Sequence, residues 1–439
     1  MTPQAPASTS PAHCLYQPPP GSTAHERMQL SWLHPIGILG LSIYNFVLRI
    51  LTLGIHHFWG KTEVRRRVWS SIRLNGEPLE YTGTGRELFL GFLIVFGVIL
   101  MPTVLISLAG ALLFGPESTA FKVFQVALYV GFVFLTGIAI FRAQRYRLNR
   151  TRWRGIRAGL DGSSLTYGWT YFWTLLLLPL TAGWIAPWRS TKLQRMVTEN
   201  MRFGSQPFRF SGSSGPLYKS FAVFWVLCAV LAAGSLFIIA DSFMSLMMAS
   251  AAEGELPETL PPDKLMAAIG IVYGTLFVAG LVYMVLSAWY RAAMMRHFAR
   301  YTHLDQLTFK STVTARGLLG IAITNYLLLI GGALVATIVL TGIGLILVAV
   351  LGMLGLDPLG LGGQIEPRTI VTTITGPLTI LFILSLGMLL PMTQARSTGY
   401  LVRNLAFEGT IDTASIAVGA DQHIKRGEGL AQAFDIDAI

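Results

Sequence analysis

The sequence predicts an all-α polytopic membrane protein with internal repeats, re-entrant or broken helices, and small cytoplasmic β-hairpins. Three observations carry this. The 439 residues are 53% hydrophobic and 13% charged, about half the charged share of a soluble domain. Several apolar runs reach the roughly 20 residues that a bilayer-spanning helix needs. A motif that begins at an apolar helix end and finishes in a short strand then recurs along the chain. The composition excludes an ordinary soluble enzyme and a disordered chain. With Cys14 and Cys228 as the only cysteines, it excludes a disulfide scaffold or a thiolate metal module as well.

In chain order, residues 1–30 read as a disordered tail rich in Pro, Ser and Thr, without the basic and apolar regions of a signal peptide. A first membrane part covers 31–219 and a second 220–412. Residues 413–439 form a polar C-terminal tail. Crossing helices are predicted at Leu88–Phe114, Ala120–Phe141, Ser220–Ala240, Leu265–Tyr290 and Thr369–Pro391. The stretch Gly317–Leu354 is too long for one upright helix, and Gly331-Gly332 and Gly342 are where it is expected to break or tilt. Ile36–Trp59 holds Asn45, Arg49 and Gly54, and Trp169–Trp188 holds Pro179, Gly183 and Pro187. Each therefore carries features that disturb a helix.

Charge orients these elements. Of the 33 Lys and Arg residues, 28 fall in the intervals 61–86, 142–158, 189–219, 291–316 and 396–426. Basic loops stay cytoplasmic, so these five intervals are placed there. The acidic stretch 241–264 falls on the far side. Two of the basic intervals flank Trp169–Trp188. A single crossing cannot begin and end on one side, so this run is expected to enter and return, and Ile36–Trp59 to behave likewise. Non-helical backbone at that depth must be buried in protein or line a wet cavity.

The recurring motif is clearest when Leu51–Gly83 is set on Leu180–Gly212 without a gap. Thr52/Thr181, Gly54/Gly183, Trp59/Trp188, Arg66/Arg195, Arg73/Arg202, Pro78/Pro207 and Gly83/Gly212 coincide. A third copy covers 384–409, with Gly387 in the Gly54 place and Pro391 in the Pro187 place. Weaker copies lie at 146–167 and 291–309. Each unit reads as an apolar helix ending at Gly, a Trp or Pro at headgroup level, a basic helix along the surface, and a polar turn. Leu74-Asn75-Gly76 and Leu160-Asp161-Gly162 are hairpin signals. The strand Leu79-Glu80-Tyr81 follows the first.

The segments LTLGIHHFWGKTEVRRR and RLNGEPLEYTGTGRELFLGF, together with the later units, resemble the YjgN-like family of bacterial inner-membrane proteins. Phe58 stands before Trp59 where that pattern has Pro. The resemblance covers nearly everything after the tail. It implies an inner-membrane location and a repeated architecture, not an activity.

Candidate chemistry is anionic binding. Thr84 and Glu87 have capping-box spacing, and the Gly-rich helix start at Thr84, Gly85 and Arg86 reads either as a plain cap or as a rest for a lipid phosphate. Polar groups inside apolar runs are functional candidates, here Asn45, Arg49 and Asn325. Arg49 stands out because a charge at depth costs at least about 2.5–3.5 kcal/mol on insertion scales. An anionic lipid or amphipathic anion is expected near Arg49, Arg66, Arg73, Arg195 and Arg202. The neighbours His56 and His57 point in different directions on a helix. No metal-ligand spacing, nucleophile motif or phosphate-binding loop occurs. We therefore expect no enzyme activity, no cofactor, no metal and no nucleic acid. The expected partner is the bilayer, with anionic lipid at its cytoplasmic face. Two functions follow: transport or handling of an anionic lipid or amphipathic anion, or a non-catalytic scaffold or regulator that docks a protein partner through its basic hairpins.

Overall fold

The computed structural model describes residues 25–115, 117–253, 262–354, 378–412 and 416. The chain opens with β1 (His25–Arg27) and β2 (Leu30–Trp32). Helices α1 (Ile38–Leu51) and α2 (His57–Ser70) follow, then β3 (Ile72–Leu74), β4 (Glu77–Pro78) and β5 (Glu80–Tyr81). Helix α3 (Gly85–Val95) runs through a π-helical turn, Phe96–Leu100, into α4 (Met101–Phe114). Pro102 lies just inside α4. Its missing N–H and its ring are incompatible with a regular helix turn, and the wider turn before it relieves both.

Helix α5 (Thr119–Asn149) leads to the hairpin β6 (Thr151–Trp153) and β7 (Ile156–Leu160). Next come α6 (Ser164–Leu180), α7 (Ala186–Thr198), and the hairpin β8 (Met201–Phe203) and β9 (Gln206–Phe210). The long helices α8 (Gly215–Glu253) and α9 (Pro262–Arg300) pack together, and β10 (Thr302–Leu304) and β11 (Leu307–Ser311) precede α10 (Ala315–Met353). The described chain resumes with helical residues 378–386, here α11. It ends with α12 (Leu390–Arg403), β12 (Leu405–Glu408) and β13 (Thr410–Asp412).

Among the described residues, six helical stretches are long and apolar enough to cross a membrane: Gly85–Phe114, Thr119–Asn149, Gly215–Met248, Lys264–Arg300, Ala315–Ile346 and Leu378–Arg403. Their apolar side chains are largely exposed, as at Leu112, Leu113, Phe237 and Phe277. So much contiguous apolar surface fits a lipid environment and not water. The architecture is that of a mostly helical polytopic membrane protein.

The strands were expected as separate hairpins. They form instead one eight-stranded antiparallel sheet in the order β12-β11-β10-β9-β8-β7-β6-β5, beside a three-stranded sheet β2-β3-β4 and the pair β1-β13. A lone two-stranded hairpin is marginal in water, and each hairpin here gains partners from its neighbours. One sheet face carries Tyr81, Trp153, Ile156, Leu160, Phe210, Leu304 and Leu307, all buried.

Other expectations need correction. Asn75 and Gly76 take positive φ (50° and 82°) in the β3–β4 turn, the geometry that an Asn-Gly hairpin turn requires. Asp161-Gly162 makes no hairpin. The turn there is Arg154-Gly155 (φ 50° and 76°), because β7 pairs with β8 as far as Leu160. Gly331-Gly332 does not break α10, which is continuous. Gly332 instead admits the Leu389 side chain, whose Cδ1 occupies the space a Cβ would need. The expected tail through residue 30 already contains β1, paired with β13. The proposed division at 219/220 is bridged by the β9–β10 pairing. Residues 1–24, the Gly-rich 355–363, most of 413–439 and the first part of Thr369–Pro391 lie outside the described residues.

Candidate functional site

Two helices break in the same way, and a third turns at Gly387 without a left-handed residue. Leu53-Gly54 and Ala182-Gly183 both take the left-handed conformation (φ 51° and 93°, then 47° and 81°). This is easy for the glycine and costs the preceding residue. A hydroxyl two residues before each glycine holds the break. Thr52 Oγ1 donates to Leu48 O (2.7 Å) and accepts from His56 N (2.9 Å). Thr181 Oγ1 donates to Leu177 O (2.8 Å) and accepts from Ile185 N (3.4 Å). Ser385, two before Gly387, donates to Leu381 O, and residues 387–389 form the turn into α12.

The first and third breaks meet. Between α1, the start of α2 and the start of α12 lies a cavity of about 430 Å³. Ser42, Asn45, Phe46 and Arg49 line it from one stripe of α1, at the i, i+3, i+4, i+7 spacing of a single face. His56, His57, Gly60 and Lys61 line it from the break and α2, and Gly387, Pro391, Thr393, Gln394 and Ser397 from the third break and α12. Among the described residues no Asp or Glu is in its wall.

The polar groups are held in place. Asn45 Nδ2 donates to Gly60 O (3.5 Å), which leaves Oδ1 facing His56 Nε2 at 3.1 Å. His56 Nε2 therefore carries the hydrogen of that bond. A Cβ at Gly60 would lie 2.9 Å from Asn45 Cγ, and one at Gly387 would lie 2.8 Å from Arg49 Nη2. Both glycines let polar side chains close in. Arg49 also rests over the Phe46 ring, 5.8 Å from its centroid. Burial, reinforced by Lys61, Arg49 and Arg65, pulls the His57 imidazole down to about 4, so it is neutral near pH 7. Behind the wall, Asn325 Nδ2 donates to Ser397 Oγ (3.0 Å) and Thr393 O (3.5 Å). Chemically the cavity is a cationic, donor-rich niche beside apolar helices, suited to an anion.

A family model described as "Bacterial protein of unknown function (DUF898)" matches residues 38–433. The chain belongs to this family. It is similar to the inner membrane protein YjgN of Salmonella typhimurium, 27% identical over 146 residues, which is 33% of this chain and 34% of that protein. The match thus spans about a third of the length of that curated relative. The YjgN-like resemblance read from the residues stands. No solved structure matches the chain.

In this family member the cavity unites Arg49 and Asn45 with Gly387 and Pro391, and Asn325 backs it. It does not gather the other predicted arginines, which are engaged elsewhere. Arg66 donates to Gly83 O (3.3 Å), Arg195 to Gly212 O (2.7 Å), Arg296 to Val313 O (2.6 Å) and Arg145 to Gly162 O. In all four the carbonyl is 17 residues ahead, just before the next apolar helix begins. These guanidinium groups strap each strand exit to the helix preceding it. Arg73 donates to Gly76 O (3.3 Å) within its own hairpin. Arg202 Nε lies 3.2 Å from Asp161 Oδ2, an ion pair without hydrogen-bond alignment.

Thr84 caps α3, accepting from Glu87 N at 3.5 Å. Gly85 packs against Trp59, and Arg86 is exposed. The Glu87 carboxylate turns to Arg150 (2.6 Å) and Tyr146 (2.8 Å). Trp188 stacks near Trp173, 5.8 Å between centroids.

Sequence reasoning missed His56, His57, Lys61, Gln394 and Ser397 as members of the site. The signal available was the polar stripe Ser42–Asn45–Arg49 on an otherwise apolar helix. That His56, His57 and α12 complete it depends on a contact between chain ends.

Proposed function

We propose that this chain is a multi-pass inner-membrane protein, with its basic loops cytoplasmic, that handles an anionic lipid or amphipathic anion in the Arg49 cavity. One observation carries the reading: Arg49 faces a cavity whose wall, among the described residues, contains no carboxylate. A cation inside an apolar segment is costly unless something compensates it, and among the described residues no ion pair involves Arg49. Exposed Leu39, Ile43, Val47 and Ile50 on α1 give an acyl chain an apolar surface beside the niche.

The broken helices support the same reading. Helix α1 has 14 residues and α6 has 17, about 21 and 26 Å at ~1.5 Å per residue. Both fall short of the ~30 Å hydrocarbon core. We read the α1–α2 and α6–α7 pairs as re-entrant elements. We read the shared break geometry and the four arginine straps as the mark of an internal repeat. Transporters build binding sites from such interrupted helices in repeated halves.

Native mass spectrometry of the full chain in mild detergent tests the proposal. A retained anionic lipid or metabolite that disappears in Arg49→Leu is the expected result. A bare protein, or a ligand equally retained in that variant, sinks it and favours partner docking through the sheets.

A further inference from the structure

A second cavity, of about 270 Å³, lies on the other side of α12. It shares no lining residue with the first. Met392, Ala395, Arg396 and Arg403 face it from α12, a set that the helical period puts on one face. Pro391, Gln394 and Ser397 are rotated away toward the Arg49 cavity. Trp32, His34 and Pro35 close it from the segment before α1, and Ile321 from α10.

Its electrostatics are one-sided. Arg396 and Arg403 line it, and among the described residues no carboxylate does. Among the described residues neither arginine forms an ion pair. Each is nonetheless oriented. Arg396 Nη2 donates to Thr324 Oγ1 (2.9 Å), and Arg403 Nε donates to Gly399 O (3.1 Å). A guanidinium has five N–H donors, so most of each fork is left for a ligand. The arginines are seven residues apart, about 10 Å along the helix axis, and their long side chains converge on the one space. Trp32 is fixed by Gly399, where a Cβ would come 2.6 Å from the indole Cε2. A Trp packed beside basic side chains at a helix end is the signature of headgroup depth, and apolar Ile38, Ile321 and Met392 line the wall alongside His34.

We infer that this cavity is a separate site for a phosphate-bearing anion, held by Arg396 and Arg403 beside Trp32. Arginine forks match phosphate oxygens in bidentate fashion, and basic pockets between membrane helices take phospholipid headgroups. A wall without a carboxylate offers no ionic partner to the ammonium of a zwitterionic headgroup, so a net anionic ligand is selected. The same chemistry fits a lipid phosphate or free phosphate.

The test is native mass spectrometry of the full-length protein titrated separately with phosphatidylglycerol, phosphatidylcholine and inorganic phosphate. Wild type is compared with Arg403→Gln, with Arg396→Gln/Arg403→Gln, and with Arg49→Leu as the control for the first cavity. Arg403 bonds only within its own helix, so Arg403→Gln leaves the fold intact, and an unchanged melting temperature checks this. We expect phosphatidylglycerol to bind with an affinity that falls about tenfold in Arg403→Gln and further in the double variant. Arg49→Leu retains this binding, which separates the inference from the proposed function. If inorganic phosphate binds equally well and is lost in the same variants, the site stands with a soluble ligand. Binding unchanged in both glutamine variants, or phosphatidylcholine bound as tightly as phosphatidylglycerol, overturns it.

Discussion

The α1–α2 and α6–α7 pairs have the same broken backbone and different interiors. The break in each is a left-handed residue, a left-handed glycine and a threonine bracket. Gly54 N reaches Arg49 O and Gly183 N reaches Leu178 O, both at 2.7 Å. Yet with the gap-free alignment, Arg49 corresponds to Leu178, Asn45 to Thr174, His56-His57 to Ile185-Ala186 and Lys61 to Ser190. The second pair has Tyr171 and Arg189 in the places of Ser42 and Gly60. Trp184 packs on Trp225 at 5.6 Å, Trp225 Nε1 donates to Ala182 O (2.7 Å), and Arg189 lies over the Tyr171 ring at 4.6 Å. The first pair keeps a cavity with its cations facing in. The two pairs thus share a break geometry and differ in the side chains around it.

The largest expected effect separating the pairs is on pH dependence. His57 is held near 4 against an ordinary 6.5. Above 6.5 it is neutral folded and unfolded, and contributes no slope. Between about 6.5 and 4 the unfolded chain takes the proton and the folded one does not, so stability drops as the pH is lowered, by at most about 3 kcal/mol. Thermal melts of wild type and His57→Gln over that window check this: the substitution should flatten the slope. An unchanged slope would mean that the first pair titrates no differently from the second, which has Ala186 at this place.

Arg49→Leu copies the second pair's residue into the first. Anion binding should weaken about tenfold or more, measured by lipid titration, while the melting temperature holds or rises as a half-buried charge is removed.

Gly54→Ala and Gly183→Ala address the shared scaffold. Each puts a side chain on a left-handed residue, costing about 1–2 kcal/mol. Melting temperatures should drop by similar amounts, and a drop in only one would break the equivalence. The smallest effect is that of Thr52→Val against Thr181→Val. Each loses its bracket, about 1 kcal/mol, and the Thr52 loss should be larger because its bond to the next N–H is 2.9 Å against 3.4 Å.

Much of the scaffold was legible from residues. Gly54 and Gly183 announced breaks because few other residues adopt those dihedrals. Asn75-Gly76 announced its turn, and Thr84 its cap. Legibility failed where a residue's role depends on a distant neighbour. Gly332 looks like a helix breaker until Leu389 is seen in its space. Arg66 and Arg195 look like ligand groups until their carbonyl partners 17 residues on are known. Asp161-Gly162 looks like a hairpin turn until β8 is found pairing the strand through Leu160.

By itself the sequence determined the membrane class, the long helix runs, the breaks at Gly54 and Gly183, and the polar Asn45 and Arg49 on α1. These follow from local composition, periodicity and the dihedral limits of single residues. Only the tertiary structure decided that the strands join into one sheet, that β1 pairs with β13, and that α12 closes against α1. Such contacts link positions from 41 residues apart (Leu160 and Met201) to 387 (His25 and Asp412), and no local preference encodes which distant surface fills a given face. Arg49 is marked as costly by its own surroundings. What shares its cavity is fixed by where the other end of the chain comes to rest.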